Sequence, residues 1–312
     1  MLYIPNQTHD PYYNQAFEEF VFTTFQEDDI LLLWRNAPAV VCGSYQNVFA
    51  EVNVPAVQEK GIAIVRRISG GGTVFHDLGN VNYTFIKNTE AERIDYTQFL
   101  MPMITALNRM GIPATINRNS DIAIDGKKVS GSAQRMARNR VMHHGTLLFD
   151  TALHSLTAVA NGQRSYYESK GTPSVPWPVT NMIHYVSDRS MTTEQFQAQL
   201  LETLGQEIPI KTYHLTPAQE QQVRELADSK YRSWEWTFGK SPSFTYRRTF
   251  MLNGTEQYVE YQASKGMIQQ IRFEPALPQL CEALTGQRLH PQEIREILNA
   301  QPEFNELLFN LF

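Results

Sequence analysis

Cysteine is nearly missing from this chain: of 312 residues, only Cys42 and Cys281 carry a thiol. They lie far apart and form no C-x-x-C pair, which argues against a disulfide framework or a zinc site. Long apolar runs are also missing; no segment approaches the ~20 apolar residues needed to span a bilayer, so no membrane association is expected. There is no basic excess. The formal net charge is −5, so nucleic acid is not expected as a principal partner. No internal repeat or low-complexity tract occurs. Three familiar motifs are absent: G-x-x-x-x-G-K-[ST], a G-x-G-x-x-G after a strand, and G-x-S-x-G. Their absence disfavours a Walker-type kinase, a Rossmann oxidoreductase and a serine hydrolase. The segment Met1 to Gln7 has neither a charged start nor a sustained apolar run, so it does not read as a signal peptide. The cytoplasm is the expected location. Hydrophobic residues at 42% and charged residues at 19% fit a globular protein.

What is present centres on Arg66-Arg67-Ile68-Ser69-Gly70-Gly71-Gly72-Thr73-Val74-Phe75-His76-Asp77. A β-branched run, Ile62 to Val65, precedes it, so the stretch reads as a strand running into a glycine loop. Glycine adopts positive φ at little cost and leaves its N–H uncovered. Bare N–H groups beside a guanidinium suit a phosphate or carboxylate. In an acidic protein, a locally basic pocket points to a small anionic ligand.

The remaining pattern predicts an α+β chain. Asp10-Pro11 starts a helix, with Asp as cap and Pro in the first turn; Tyr13, Ala16, Phe17, Phe20 and Val21 share one face. Ile30–Trp34 and Ala39–Cys42 read as buried strands. Val81, Tyr83 and Phe85 alternate with Asn82 and Thr84 as in a strand. Thr97 to Met110 is an amphipathic helix. A strand follows from Gly145 to Asp150. Asn161 to Asn181 is a long Gly/Ser/Pro-rich connection of the kind that often carries function. Helices follow over Thr193 to Leu204 and Ala218 to Tyr231. After Trp234–Pro242, a three-stranded meander with Asn253-Gly254 and Lys265-Gly266 turns leads into terminal helices. The expected fold is a mixed β-sheet with flanking helices, residues 1–239, plus a small α+β C-terminal domain, residues 240–312.

Asp125-Gly126 separates two alternating runs and predicts a two-residue hairpin. Ile124 would then pair with Lys127, Ala123 with Lys128, Ile122 with Val129, and Asp121 with Ser130. Alternation puts Asp121, Ala123, Lys128 and Ser130 on one face. Lys128 would stand on small or polar groups, beside a carboxylate, with Gly131 and Ser132 keeping the backbone open. A plain solvated hairpin fits the same segment. His143 and His144 are adjacent, so they point to opposite faces, one packed and one exposed. His76-Asp77 reads as a metal pair or, more simply, as a turn capped by its aspartate.

Three motifs in order, Arg66 to Asn80, Lys128 to Ala133 and His143 to Leu148, resemble the lipoate–protein ligase A family. Trp234 to Gly239 is also similar. The likeness runs over nearly the whole chain. It implies a biotin/lipoate ligase-like large domain and a two-step reaction. Lipoate and ATP give lipoyl-adenylate and pyrophosphate, with Mg2+ assisting; the lipoyl group then passes to a lysine of an acceptor domain. Such acceptors are lipoyl domains of 2-oxoacid dehydrogenase complexes or the glycine-cleavage carrier protein. By the same resemblance, Arg67, Gly72, Thr73, Val74, Phe75 and Lys128 would bind ATP. Lys128, Arg67, Ser69, Gly70, Gly71 and His76 would bind lipoate, Lys128 would be catalytic, and Asp121 would hold magnesium or pair with the lysine. The loop around Lys170-Gly171-Thr172 would fold over the adenylate. A monomer is expected. Three alternatives stay open: a lipoyl or octanoyl acyltransferase of related fold working through a cysteine thioester, a biotin ligase, and a non-catalytic lipoate or nucleotide sensor.

Overall fold

A computed structural model describes residues 1–90, 95–117, 120–160, 164–300 and 302–312. The first three residues of the long connection, 161–163, fall outside it. The opening helix, α1 (Pro11–Thr24), forms as the sequence dictates: Asp10 accepts a hydrogen bond from Tyr12 N, and Pro11 occupies the first turn. Its buried face carries Ala16, Phe17, Phe20 and Val21, and also Asn14, Gln15 and Glu18.

The strands in chain order are β1 (Leu2–Tyr3), β2 (Ile30–Trp34), β3 (Ala39–Cys42), β4 (Ala63–Arg66), β5 (Val74–His76), β6 (Asn80–Asn88), β7 (Thr115–Asn117), β8 (Asp121–Ile124), β9 (Lys127–Ala137), β10 (Arg140–Leu148), β11 (Tyr167–Ser169), β12 (Lys211–Thr212), β13 (Phe244–Leu252), β14 (Thr255–Ser264) and β15 (Met267–Glu274). Eight of them make a mixed sheet in the order β12-β1-β2-β6-β10-β9-β8-β7. β1 lies parallel to both neighbours, whereas the rest run antiparallel. β3, β4 and β5 form a separate three-stranded sheet, with β4 parallel and β5 antiparallel to β3. One face of the large sheet packs on Phe99, Leu100, Met103 and Leu107 of α2 (Thr97–Arg109) and on Phe196 and Leu200 of α3 (Thr193–Glu207). The other face packs on α1. Because both faces are covered, Asn82 and Thr84 are buried together with Tyr83 and Phe85. Alternation marked the strand correctly, but the polar residues do not face water.

The C-terminal meander folds as predicted. Asn253-Gly254 and Lys265-Gly266 take positive φ at both positions, 50° and 78° for the first turn and 53° and 69° for the second, as two-residue hairpin turns require. This sheet has four strands, because β11 of the long connection pairs with β13. Its core is continuous with that of the three-stranded sheet: Phe49 packs against Phe238 and Phe244 at ring-centroid distances of 5.7 and 5.6 Å. No helix among the described residues is long and apolar enough to cross a membrane.

Candidate active site

The hairpin closes at Asp125 and Gly126, with φ of 50° and 75°. Ile124 pairs with Lys127 and Ala123 with Lys128, as expected, but a bulge follows, so that Ile122 pairs with Ser130 and Asp121 with Gly131. The bulge shifts the register by one residue and exchanges two positions. Ser130 turns into the core and is fully buried, while Gly131 takes its place on the lysine face. Lys128 Nζ lies 2.9 Å from Asp121 Oδ1. A Cβ at position 131 would sit 2.9 Å from both Cε and Nζ of Lys128, so the lysine stem rests directly on bare backbone. The end of the long connection flanks this strand: Lys128 N donates to Pro178 O at 2.9 Å and Thr180 N donates to Lys128 O at 3.0 Å.

The glycine loop joins β4 to β5. Gly71 has φ of +87°, and its carbonyl oxygen would lie 2.2 Å from a Cβ at Gly43. Gly43 is therefore required for close backbone packing, a role its position in the sequence did not reveal. Arg67 is buried, and all three of its guanidinium nitrogens donate within the protein. Nε reaches Ser69 Oγ at 3.0 Å, Nη1 reaches Val41 O at 3.1 Å, and Nη2 reaches Gly70 O and Gly72 O at 2.6 and 2.7 Å. Burial lowers its pKa to about 10, so it remains charged at neutral pH. Arg67 thus shapes the loop from behind.

Arg66 is also buried and binds four carbonyls and one hydroxyl. Nε donates to Thr237 O at 2.9 Å, Nη1 to the carbonyls of Gly43, Ser44 and Gln46, and Nη2 to Ser241 Oγ at 3.1 Å. It ties the loop region to the start of the C-terminal part, where Trp236 Nε1 donates back to Arg66 O at 2.7 Å.

Loop and hairpin meet in one cavity of about 510 Å3. Arg67, Gly71, Gly72, Thr73, Val74 and His76 line one side, and Asp121, Lys128, Gly131, Ser132 and Ala133 another. Thr172 to Val175 and Trp177 of the long connection also border it. Ser69, Gly70 and Phe75 do not line it. Phe75 points to the opposite side of β5 from Val74 and His76, as strand alternation demands, and joins the hydrophobic core. Ser69 is buried against His144 Nε2 at 2.6 Å.

The buried part of the cavity is walled by Gln15, Trp34, Asn82 and His144 as well as His76. It is more polar than an aliphatic channel. Burial pushes the His76 pKa down to about 3, so the ring is neutral at physiological pH. Asn36 Oδ1 accepts from Asn14 at 2.8 Å, so Asn36 Nδ2 donates to His76 Nδ1 at 3.0 Å. The proton then sits on Nε2, which has no partner within the protein; Gln15 Oε1 has none either. Asp77 does not face this space: Oδ1 accepts from Gly79 N at 2.9 Å and Oδ2 from Ala152 N at 2.8 Å. It caps its turn.

The two adjacent histidines point to opposite faces, but both are buried, which corrects the expectation that one is exposed. The strand starts at Arg140, five residues earlier than its hydrophobic run suggested, and both its faces are covered. His143 stacks on Phe99 at 5.0 Å, and burial lowers its pKa to about 3. His144 Nδ1 lies 2.8 Å from Glu18 Oε1, an oxygen that also accepts from Thr84 Oγ1 at 2.6 Å. Sequence reasoning missed Glu18, Gln15 and Trp34. For Glu18 and Gln15 the signal available was polar residues interleaved with aromatics on the inward face of α1, and for Trp34 it was the end of a buried strand.

Cys42 is buried; burial raises its pKa, and Thr73 Oγ1 lies 3.7 Å from the sulfur. Burial likewise raises the Cys281 thiol. Neither is an activated thiolate, and neither lines the cavity, which disfavours the thioester alternative. Among the described residues no group of three or more His, Cys, Asp or Glu side chains could hold a metal by itself.

Residues 10–205 match the lipoyl protein ligase A/B catalytic domain. The chain is 35% identical to lipoate-protein ligase LplJ of Bacillus subtilis over 264 residues, 83% of this chain and 78% of the relative. Two solved structures share the fold. A bi-partite lipoate protein ligase from Thermoplasma acidophilum, solved in a study that includes its E2 lipoyl domain, has a TM-score of 0.66 at 23% identity, covering 76% of this chain and 96% of the other. A lipoate-protein ligase A bound with ATP has a TM-score of 0.61 at 24% identity, covering 77% and 97%.

Proposed function

The chain belongs to the lipoyl protein ligase A/B family, and from that membership we propose that it is an ATP-dependent lipoate–protein ligase acting in the cytoplasm as a monomer. The observation that carries the reading is the convergence of Lys128 and the glycine loop on one cavity. Residues 1–239 would activate lipoate and residues 240–312 would serve as an accessory unit.

The first step joins two anions, a carboxylate oxygen and the α-phosphorus of ATP, as the bond to the β-phosphate breaks and pyrophosphate leaves. A fixed ammonium between them lowers that repulsion and stabilises the charge that develops. Lys128, which Asp121 orients and Gly131 seats, would hold that place. Gly72 and Val74 would present backbone to the phosphates on either side of Thr73, whose N–H is held by Ser174 Oγ, with Arg67 bracing the loop. The acyl tail would run past His76 towards Trp34. Mg2+ fits as an ion held chiefly by substrate phosphates, because such ions need only one or two protein carboxylates and Asp121 is the carboxylate beside Lys128 in this cavity. When bound, Mg2+ would neutralise the departing pyrophosphate.

In the second step an unprotonated acceptor lysine attacks the acyl carbon, and the bond to AMP breaks. The acceptors would be lipoyl domains of 2-oxoacid dehydrogenase complexes or the glycine-cleavage carrier protein. No covalent acyl-enzyme is needed. The test is to incubate the protein with lipoate, Mg2+ and ATP, measure pyrophosphate, then add an acceptor domain and measure its acylation. Pyrophosphate release that requires lipoate supports the reading. Acyl transfer from a carrier protein without ATP, or ligand binding without turnover, overturns it.

A further inference from the structure

We propose that Gln46 is a positioning residue that registers the strap over 170–177 against the glycine loop for the nucleotide step. The inference rests on the adenylating reading of the cavity. Gln46 is fully buried, in the turn after β3. Its Oε1 accepts from Gly43 N at 2.9 Å and from Thr73 Oγ1 at 2.8 Å. Its Nε2 donates to Thr172 O at 3.3 Å and to Ser174 Oγ at 3.0 Å. A primary amide offers two donors and two acceptor positions, and here all four are used. One side chain thereby joins three segments: its own turn, the glycine loop, and a strap more than a hundred residues later in the chain.

Ser174 completes the junction. Its Oγ accepts from Thr73 N at 2.9 Å, and its N donates to Glu51 Oε2 at 3.2 Å. Little apolar packing assists, because Thr172, Pro173 and Val175 are exposed. A segment with few buried apolar contacts takes its local stability from its hydrogen bonds. The polar junction therefore decides where the strap lies. The strap in turn engages the N–H of Thr73, a glycine-loop group at the edge of the proposed phosphate site.

Two variants test this. Gln46→Glu keeps an oxygen toward Gly43 and Thr73 but loses the donor to the strap. Ser174→Ala removes the strap's side of the same bond at a partly exposed position, with no change of charge. Hydrogen exchange of the amides of Thr172, Ser174 and Thr73 should rise about tenfold or more in both, while that of β10 and β14 stays within about twofold. The KM for ATP should rise about fivefold or more, and the lipoate Kd measured without nucleotide should stay within about twofold. Unchanged strap exchange and ATP KM in Ser174→Ala, whether or not Gln46→Glu folds, overturns the proposal. If the parent releases no pyrophosphate with lipoate, Mg2+ and ATP, the adenylating reading fails, whereas the exchange comparison still decides the role of Gln46.

Discussion

The ammonium of Lys128 stands 2.9 Å from the carboxylate of Asp121, across a hairpin whose bulge brings Gly131 under the lysine stem. Both side chains are partly exposed, and such pairs contribute only about 0–1 kcal/mol to stability. The pair aims the amine into the cavity more than it holds the fold together. Lys128→Ala should therefore lower adenylate formation by about 10²–10³-fold, the usual cost of removing a group that stabilises transition-state charge. The melting temperature should stay within a few degrees of the parent. Pyrophosphate release and thermal melts check both; near-parental release would remove Lys128 from its assigned role.

Gly131→Ala tests the same geometry without touching a charge. Its methyl must displace Cε or Nζ of Lys128, which would lie 2.9 Å away. The stem is flexible, so the protein should fold. The amine would move by a fraction of an ångström to an ångström, and such displacements cost up to about 10²-fold in rate. Parental turnover in this variant would show that the seat of the lysine is unimportant.

How far the sequence revealed this site is clearest at the hairpin. Asp125-Gly126 predicted the turn and the Ala123–Lys128 pair, because a two-residue loop fixes the register next to it. The bulge was not legible, because alternation assumes an unbroken ladder; Ser130 and Gly131 consequently exchanged places. The turn motifs and apolar periodicity also located α1, β2, β3 and the C-terminal meander, whose signals are local. Gln46, Glu18 and Gly43 stayed hidden for the opposite reason. Apart from the bond between Gly43 and Gln46 themselves, their partners lie tens to more than a hundred residues away, and no local pattern reports them. Arg67 was legible as a residue of the loop but not in its direction, since a guanidinium beside glycines suits an external anion and the loop's own carbonyls equally well.

Arg66→Met should destabilise the fold by about 3 kcal/mol or more, since each buried acceptor left without a donor costs about 1–3 kcal/mol and Arg66 serves four carbonyls and a hydroxyl. Denaturant unfolding measures this. A stability equal to the parent's would mean that these carbonyls find other donors.

His76 and His143 give a pH signature. Both have pKa values lowered to about 3 by burial, against about 6.5 in an unfolded chain. Between those values the unfolded state binds more protons, so stability is full above pH 6.5 and falls as the pH drops from 6.5 towards 3. Each histidine contributes a slope of up to about 1.4 kcal/mol per pH unit. Replacing His143 with Phe should remove one such contribution, making stability between pH 6 and 4 less steep than in the parent. Parallel curves for the two proteins would contradict its being buried as a neutral ring.

The most direct measurement is a crystal structure with a non-hydrolysable lipoyl-adenylate analogue. The acyl–phosphate linkage should lie within hydrogen-bonding distance of Lys128 Nζ, with the α-phosphate against Gly72 to Val74 and the acyl tail directed to Trp34. An analogue bound elsewhere, or bound in this cavity with its linkage turned away from Lys128, would contradict the account.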